Sequence, residues 1–473
     1  MPRQNIIIVG AGPAGLTAAA ELSENGQAVT LIEKDTQYVG GMARTVNYKG
    51  FRFDIGGHRF FSKSEEINTW WHRRLAADFI KVKRLSRIYY RGKFFDYPLK
   101  AFNALFGLGL WTSLLCVLSY AKALLFPQKP EKSFEDRVTN LFGRKLFSVF
   151  FKTYTEKVWG RPCDQISSDY AEQRIRGLSL STAIWHAFVP QRKAGRKVVK
   201  TLIEEFDYPR LGPGMMWEKT RDDIIRSGGV VRIGEQAMEF TWQDSRVTSV
   251  TTRNRHGQLQ VIAGDQFIVS MPLQESILAF DPPLAEACTA AAQRLQYRDF
   301  LTVALMIHRE KMFPDNWIYI QHPTVRMGRI QNFNNWSAQM VPHPGVTCLG
   351  LEYFCFEGDA IWNMSDRDLI ALGKRELEIL GLASAADVFD GCVVRAEKAY
   401  PVYYPGYEGD VRIIREQVQR FTNFQVVGRN GMHKYNNQDH SMMTALVAAR
   451  RVLGCEQDPW RVNTDAEYQE ELS

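Results

Sequence analysis

The sequence predicts an α/β fold: a βαβ nucleotide-binding domain, a second domain built on an antiparallel sheet, and a mostly helical insert. Three observations carry that prediction. An apolar run at residues 5–10 leads into Gly10-x-Gly12-x-x-Gly15 and then a helical pattern. Strand-like runs recur late in the chain, at 301–308, 317–321, 326–333 and 347–356. Between these regions, residues 99–188 are rich in Leu, Phe and Trp and read as helical.

Taken in order, residues 5–10 have the unbroken apolar character of a central parallel strand. A helix follows over 14–25, Gly26 ends it, and 28–33 forms the next strand. Residues 51–54 and 88–95 are strands, the second with a turn at Arg91-Gly92. The Pro/Gly-rich stretch 207–214 is expected to be a connector, and 222–227 helical. Strands are expected at 230–233 and 246–252, and 266–271 returns to the first domain. Residues 366–380 and 441–453 are helices, with Asp439 and Ser441 as the polar caps of the last. The expected division is discontinuous. Residues 1–96, 210–290 and 420–460 make the nucleotide domain, 97–209 the insert, and 291–419 a substrate-binding sheet domain.

Composition bounds the function. A chain of 473 residues, 45% hydrophobic, fills a sizeable core over more than one domain. A net charge of +7 suits anionic ligands or an anionic membrane surface. Zinc spacing and aromatic–basic modules are absent, which argues against nucleic acid. The seven cysteines are scattered without paired or metal-ligand spacing, as in a reducing compartment, so no metal and a cytoplasmic location are expected. Residues 101–121 carry no charge and are flanked by Lys100 and Lys122. That length approaches a bilayer span, but Asn103, Gly107, Gly109, Thr112 and Ser113 interrupt it. A buried or interfacial helical region is expected, with peripheral contact at the inner face of a membrane as the alternative.

The glycine motif has a physical reading. Gly10 permits the tight turn, Gly12 lets a pyrophosphate approach the backbone, and Gly15 lets helix and strand pack closely. The helix N-terminus beyond Ala14 offers unsatisfied N–H groups to phosphate. Glu33, at the end of the next strand, can accept hydrogen bonds from ribose hydroxyls and would repel a 2′-phosphate. Together these make the domain Rossmann-like.

A second glycine pair follows in Gly40-Gly41-Met42-Ala43-Arg44. It resembles the second phosphate and flavin contact of FAD enzymes of the amine-oxidase group, and 266–272, with Ser270-Met271-Pro272, resembles their returning strand. FAD is therefore expected over NAD. More narrowly, residues 40–63, with Gly56-Gly57-His58 at their core, resemble the flavin loop of UDP-galactopyranose mutases. Tyr97-Pro98, Lys157-Val158-Trp159, Glu172-Gln173-Arg174, Trp317-Ile318-Tyr319, the strand beginning at Arg329, Tyr400-Pro401, and Gly428-Arg429 through Tyr435 and Asn437 to Ser441 resemble that family's motifs in the same order.

The resemblance implies a redox-neutral pyranose/furanose interconversion of a nucleotide-diphosphate sugar. Reduced FAD would work through an N5–sugar adduct, with NAD(P)H a candidate external reductant. It implies catalytic roles for His58, Arg174, Arg329 and Arg429, and substrate contacts from Tyr97, Trp159, Tyr319, Tyr400, Tyr435 and Asn437. FAD contacts are implied for Gly10, Gly12, Ala14, Gly15, Glu33, Lys34, Gly41, Met42, Ala43, Arg44, Gly56, Gly57, His58, Gly428, Ser441 and Met442. Arg174 and Arg329 suit a diphosphate leaving group, Arg429 and Asn437 suit flavin or sugar hydroxyls, and His58 is expected to respond near neutral pH. The chain departs from the family at Arg59-Phe60-Phe61, where smaller residues are usual, and at Lys100, where a glutamine is expected. These departures admit another nucleotide sugar or a lipid-linked diphospho-sugar. The alternative reading is an FAD oxidoreductase of the amine-oxidase or protoporphyrinogen-oxidase group acting on an apolar or lipid-linked substrate. An oligomer is compatible with either.

Overall fold

A computed structural model describes residues 3–97, 99, 101–166, 168 and 205–462. At its centre is a five-stranded parallel sheet in the order Val230–Ile233, Ala28–Glu33, Asn5–Val9, Gln266–Val269, Phe424–Val426, read edge to edge. The apolar run of the first strand follows from covering on both faces. Ile6 and Ile8 pack in the cluster of helices Pro13–Glu24 and Gln438–Val452, while Ile7 and Val9 point to the opposite cluster, with Phe240, Leu273 and Phe424. These strands come from widely separated parts of the sequence.

The second sheet has seven strands, in the order Val388–Pro401, Tyr297–Ile307, Thr347–Cys355, Arg329–Asn332, Trp317–Ile320, Ser86–Tyr90, Lys93–Asp96. All neighbours are antiparallel except Trp317–Ile320 with Ser86–Tyr90. The early hairpin therefore joins the second sheet, although it falls within residues 1–96, which were assigned to the nucleotide domain. Tyr297–Ile307 is buried along its whole length, which explains its hydrophobic sequence.

Among the described residues, the insert carries helices Ala101–Leu108, Leu110–Leu125, Phe134–Phe142, Arg144–Phe150 and Lys152–Trp159. Gly109, at φ +82°, breaks the uncharged stretch into two helices. Among the described residues, no helix is long and apolar enough to cross a membrane.

The structure corrects several expectations. The 207–214 connector is instead the end of strand Glu205–Pro209, paired with Phe79–Lys83, and the start of helix Gly214–Arg226. Proline and glycine mark the element boundaries there, with Gly212 at φ +91° packed against Thr45. Strands Glu235–Gln243 and the 14-residue Val388–Pro401 carry charged and polar residues that interrupt their alternation, and Leu259–Ala263 is short and mostly exposed, so none has a clear strand pattern in sequence. The last helix starts at Gln438 with Asn437 as its N-cap residue, so Asp439 and Ser441 stand in its first turn rather than capping it.

Candidate active site

A cavity of about 990 Å³ lies where the carboxyl ends of the parallel strands meet the seven-stranded sheet and the helical insert. Four strands deliver a residue to it directly: Gly10, Glu33, Ser270 and Gly428. Sites of open α/β sheets form beyond that edge.

The first wall is made of backbone. Gly10 takes φ +94°, and its N–H donates to Ile32 O at 2.8 Å. A Cβ on Gly15 would lie 1.8 Å from Gly10 O, so strand and helix touch as only glycine allows. A Cβ on Gly12 would meet nothing within 4 Å, so this glycine opens onto free space. Helix Pro13–Glu24 has no side-chain cap and no acidic residue in its first turn, which leaves its N–H groups to an anion. The second glycine pair lies against the first: Gly40 N–H donates to Ala11 O at 2.7 Å, and a Cβ on Gly41 would sit 3.2 Å from Gly12 Cα.

Glu33 accepts hydrogen bonds from Ala11 N–H at 2.6 Å and Asp35 N–H at 2.8 Å. Burial raises its pKa, against those two bonds, which lower it. Lys34 lies at the rim in an exposed 3.2 Å pair with Glu397. Arg44 donates to Gly41 O at 2.9 Å and holds the loop in shape, with burial lowering its pKa.

The second wall is made of side chains. Arg329 Nε donates to Glu352, whose other oxygen accepts from Gln331 Nε2 at 2.7 Å. Glu352 is fully buried. Burial opposes the charge on Arg329, but Glu352 and the phenols of Tyr154, Tyr400 and Tyr319 outweigh it, and its pKa is raised further. Arg429 donates from Nε to Asn436 O at 2.8 Å. Its guanidinium lies 5.4 Å from the ring centre of Tyr400 and 5.0 Å from that of Tyr435. Those two rings stack at 5.8 Å, and Tyr319 packs against Tyr97 at 4.8 Å and Tyr154 at 5.2 Å. Burial first, then Tyr435, pushes the Tyr400 phenol up to about 12, so it stays a proton donor.

His58 joins the two walls. Its Nε2 lies 2.8 Å from Ile55 O, and a Cβ on Gly56 would come within 3.7 Å of Arg329 Nη2. Burial, with the nearby charges of Arg429 and Arg329, brings its pKa down to about 4. The expected response near neutral pH is thus not what this environment favours: His58 is neutral there.

Most of the expected site residues line this cavity. Gly15 and Gly56 lie behind the wall as packing positions, and Met442 is fully buried, with Trp71 Nε1 3.0 Å from its sulfur. Arg174 lies outside the described residues. Glu352, Gln331 and Tyr154 were missed. A lone carboxylate in the apolar strand Thr347–Cys355 was the available signal, since a buried charge needs a partner. Lys157, quoted for its motif, donates to the carbonyls of Ile320, His322 and Met327 at 2.9–3.2 Å and fastens the insert to the sheet.

Comparison with known proteins places this geometry in a family. A crystal structure of reduced UDP-galactopyranose mutase superposes with a TM-score of 0.81 over 98% of this chain and 99% of that one, at 22% identity, a likeness of fold alone. A Klebsiella pneumoniae protein named "Probable UDP-galactopyranose mutase" is 27% identical over 171 residues, 34% of this chain and 42% of that protein. A 4,4'-diapophytoene desaturase (4,4'-diapolycopene-forming) of Methylomonas sp is 38% identical over 88 residues, 18% of this chain and 17% of that protein. The matched stretches span less than half of either relative. The family model for flavin containing amine oxidoreductase matches residues 13–453, and the chain belongs to that family.

Proposed function

We propose that the protein is an FAD-dependent nucleotide-sugar mutase, interconverting pyranose and furanose ring forms without net oxidation. Family membership implies FAD. The residues present fit it: Gly12 opens onto free space, an uncapped helix N-terminus stands behind it, and the Gly41 turn closes against it. Gly10, Gly12 and Ala14 would hold the pyrophosphate, Glu33 the ribose, and Met42 to Arg44, Gly57, His58, Gly428 and Ser441 the remainder. When reduced, the flavin supplies a nucleophile that no side chain of the cavity need provide.

The observation that carries the reading is the pairing of Arg329 and Arg429 with a group of tyrosines beside His58. A departing nucleoside diphosphate gains negative charge, and fixed guanidinium and phenol donors stabilise it without rearrangement. Glu352 holds the Arg329 fork in place, and Tyr400 keeps its proton. Neutral His58 avoids a third positive charge between the arginines and can exchange a hydrogen bond with the cofactor or a sugar hydroxyl.

A second reading, FAD-dependent oxidation of an apolar substrate, is favoured by one observation. Phe134, Phe142, Phe150, Phe151 and Val158 of the insert line part of the same cavity.

The test is product analysis of the holoenzyme, reduced with dithionite or NAD(P)H, against a panel of nucleoside-diphosphate hexoses. The mutase reading expects a ring isomer of unchanged mass from the reduced enzyme only. A substrate that reduces the flavin, with no isomer from any sugar, refutes it.

A further inference from the structure

We propose that helix Leu110–Leu125, with Phe106 before it and Phe126 after it, is a membrane-docking surface that seats on an anionic lipid bilayer. The helix is apolar on two opposite faces. Ser113, Cys116, Tyr120 and Ala123 form the inward face, at helical spacing. That face is fixed by a close backbone approach, since a Cβ on Gly143 would come within 2.7 Å of Tyr120 N. The outward face carries Leu110, Trp111, Leu114, Val117, Leu118, Leu124 and Leu125, with Leu110 89%, Trp111 72% and Leu125 73% exposed. A helix facing water would carry charged or polar residues there. Scattered exposed apolar residues are ordinary, but a contiguous helical face of them marks an interaction site.

Charge and residue type select the partner. Residues 101–130 contain no Asp or Glu, and their two lysines, Lys122 and Lys129, are exposed. An acid-free basic fringe complements anionic lipid headgroups. Protein interfaces are depleted in lysine, whereas Leu-rich faces with Lys at the edge suit the bilayer interface. Exposed Trp111 and Phe126 add aromatic residues to the same outward surface, the amphipathic type that favours the headgroup region. Sixteen residues of helix reach about 24 Å, short of the hydrocarbon thickness, so the helix lies in the interface rather than across it. The helices it packs on are those whose Phe134, Phe142 and Phe150 line the cavity, so the docked insert is also the apolar side of the site. The inference is independent of which reaction the site performs.

The test is sedimentation of the flavin-loaded full chain with phosphatidylcholine vesicles, with and without phosphatidylglycerol. Binding to the anionic vesicles is expected, at least about tenfold weaker on phosphatidylcholine alone and weakened by salt. The triple variant Trp111→Ser, Leu118→Ser, Leu125→Ser should lose vesicle binding by at least about tenfold while retaining flavin. Hydrogen exchange of the wild-type chain on vesicles gives a readout that needs no variant, with added protection expected over 106–126. Absence of vesicle binding at any composition overturns the proposal. So does protection confined to other segments, or a wild-type dimer that the triple variant abolishes without any vesicle binding.

Discussion

The two walls of the cavity are built in different ways. The wall around Gly12 is shaped by main chain: positive φ at Gly10 and Gly41, contacts at Gly10, Gly15 and Gly41 that crowd a Cβ, and an uncapped helix end. The wall of Arg329, Arg429 and the tyrosines is shaped by side chains, each held by a partner from a different element. The first resists a larger residue at Gly10, Gly15 and Gly41, where a Cβ meets a neighbour. The second tolerates small changes of shape but depends on charge and on protons. Under the proposed function, the contrast separates holding a cofactor from acting on a substrate, and substitutions on each side test it.

The largest effect is expected from Gly15→Ala. The new methyl would meet a backbone oxygen at 1.8 Å, between a strand and a helix whose Ile8 and Leu16 are packed in one buried cluster. The purified variant should lack the flavin absorbance and every activity; a yellow Gly15→Ala protein would break the claim that backbone contact defines this wall. Next comes Arg329→Lys, which keeps the charge beside Glu352 but loses the guanidinium fork. Catalysis by the reduced enzyme should fall by about 100-fold with flavin content unchanged, read as kcat against absorbance.

A third test uses pH. The unfolded pKa of histidine is near 6.5 and that of folded His58 is about 4. As pH falls, the unfolded chain takes up the proton first. The stability contributed by neutral His58 is therefore full above about pH 6.5 and is lost progressively towards pH 4. Because the ring is only half-buried, the share is about 2 kcal/mol. His58→Gln should flatten the fall in Tm below pH 6.5, leaving the part due to buried His433, whose pKa is also down to about 4. An unchanged Tm profile would remove His58 from the acid response.

Smaller still is Tyr400→Phe. It keeps the stacked ring and removes one phenolic donor, for a loss of up to about tenfold in kcat/KM without loss of flavin. The smallest effect is expected at Met442→Leu, a core change of similar volume, with less than about 1.5 kcal/mol in stability and no change in flavin content.

The same contrast governs what the sequence disclosed. The glycine wall was legible because its spacing is local: Asn5–Val9, the turn, helix Pro13–Glu24 and strand Ala28–Glu33 follow without interruption, and the physics of each glycine can be read from position alone. The side-chain wall was reached through resemblance, since nothing local connects Arg329 with Tyr400 or Tyr435. Glu352 and Tyr154 stayed hidden because their importance lies in a partner far away in sequence. Strand Val388–Pro401 was lost for a related reason. Its Asp390, Arg395 and Glu397 break the alternation, yet Asp390 pairs with Lys49 and Arg395 with Asp366, so charges that argue against a strand locally are satisfied across the fold. The uncharged segment 101–121 was legible as helical and apolar, but its division at Gly109 and its exposed face needed the packing of its neighbours.

The central claim is catalysis without net oxidation, and the redox balance of turnover tests it most directly. The holoenzyme, reduced once and kept anaerobic with a nucleoside-diphosphate hexose that it accepts, should form many equivalents of ring isomer per flavin while the flavin spectrum stays reduced. Consumption of one electron acceptor for each product formed, with no isomer of unchanged mass, would contradict the account.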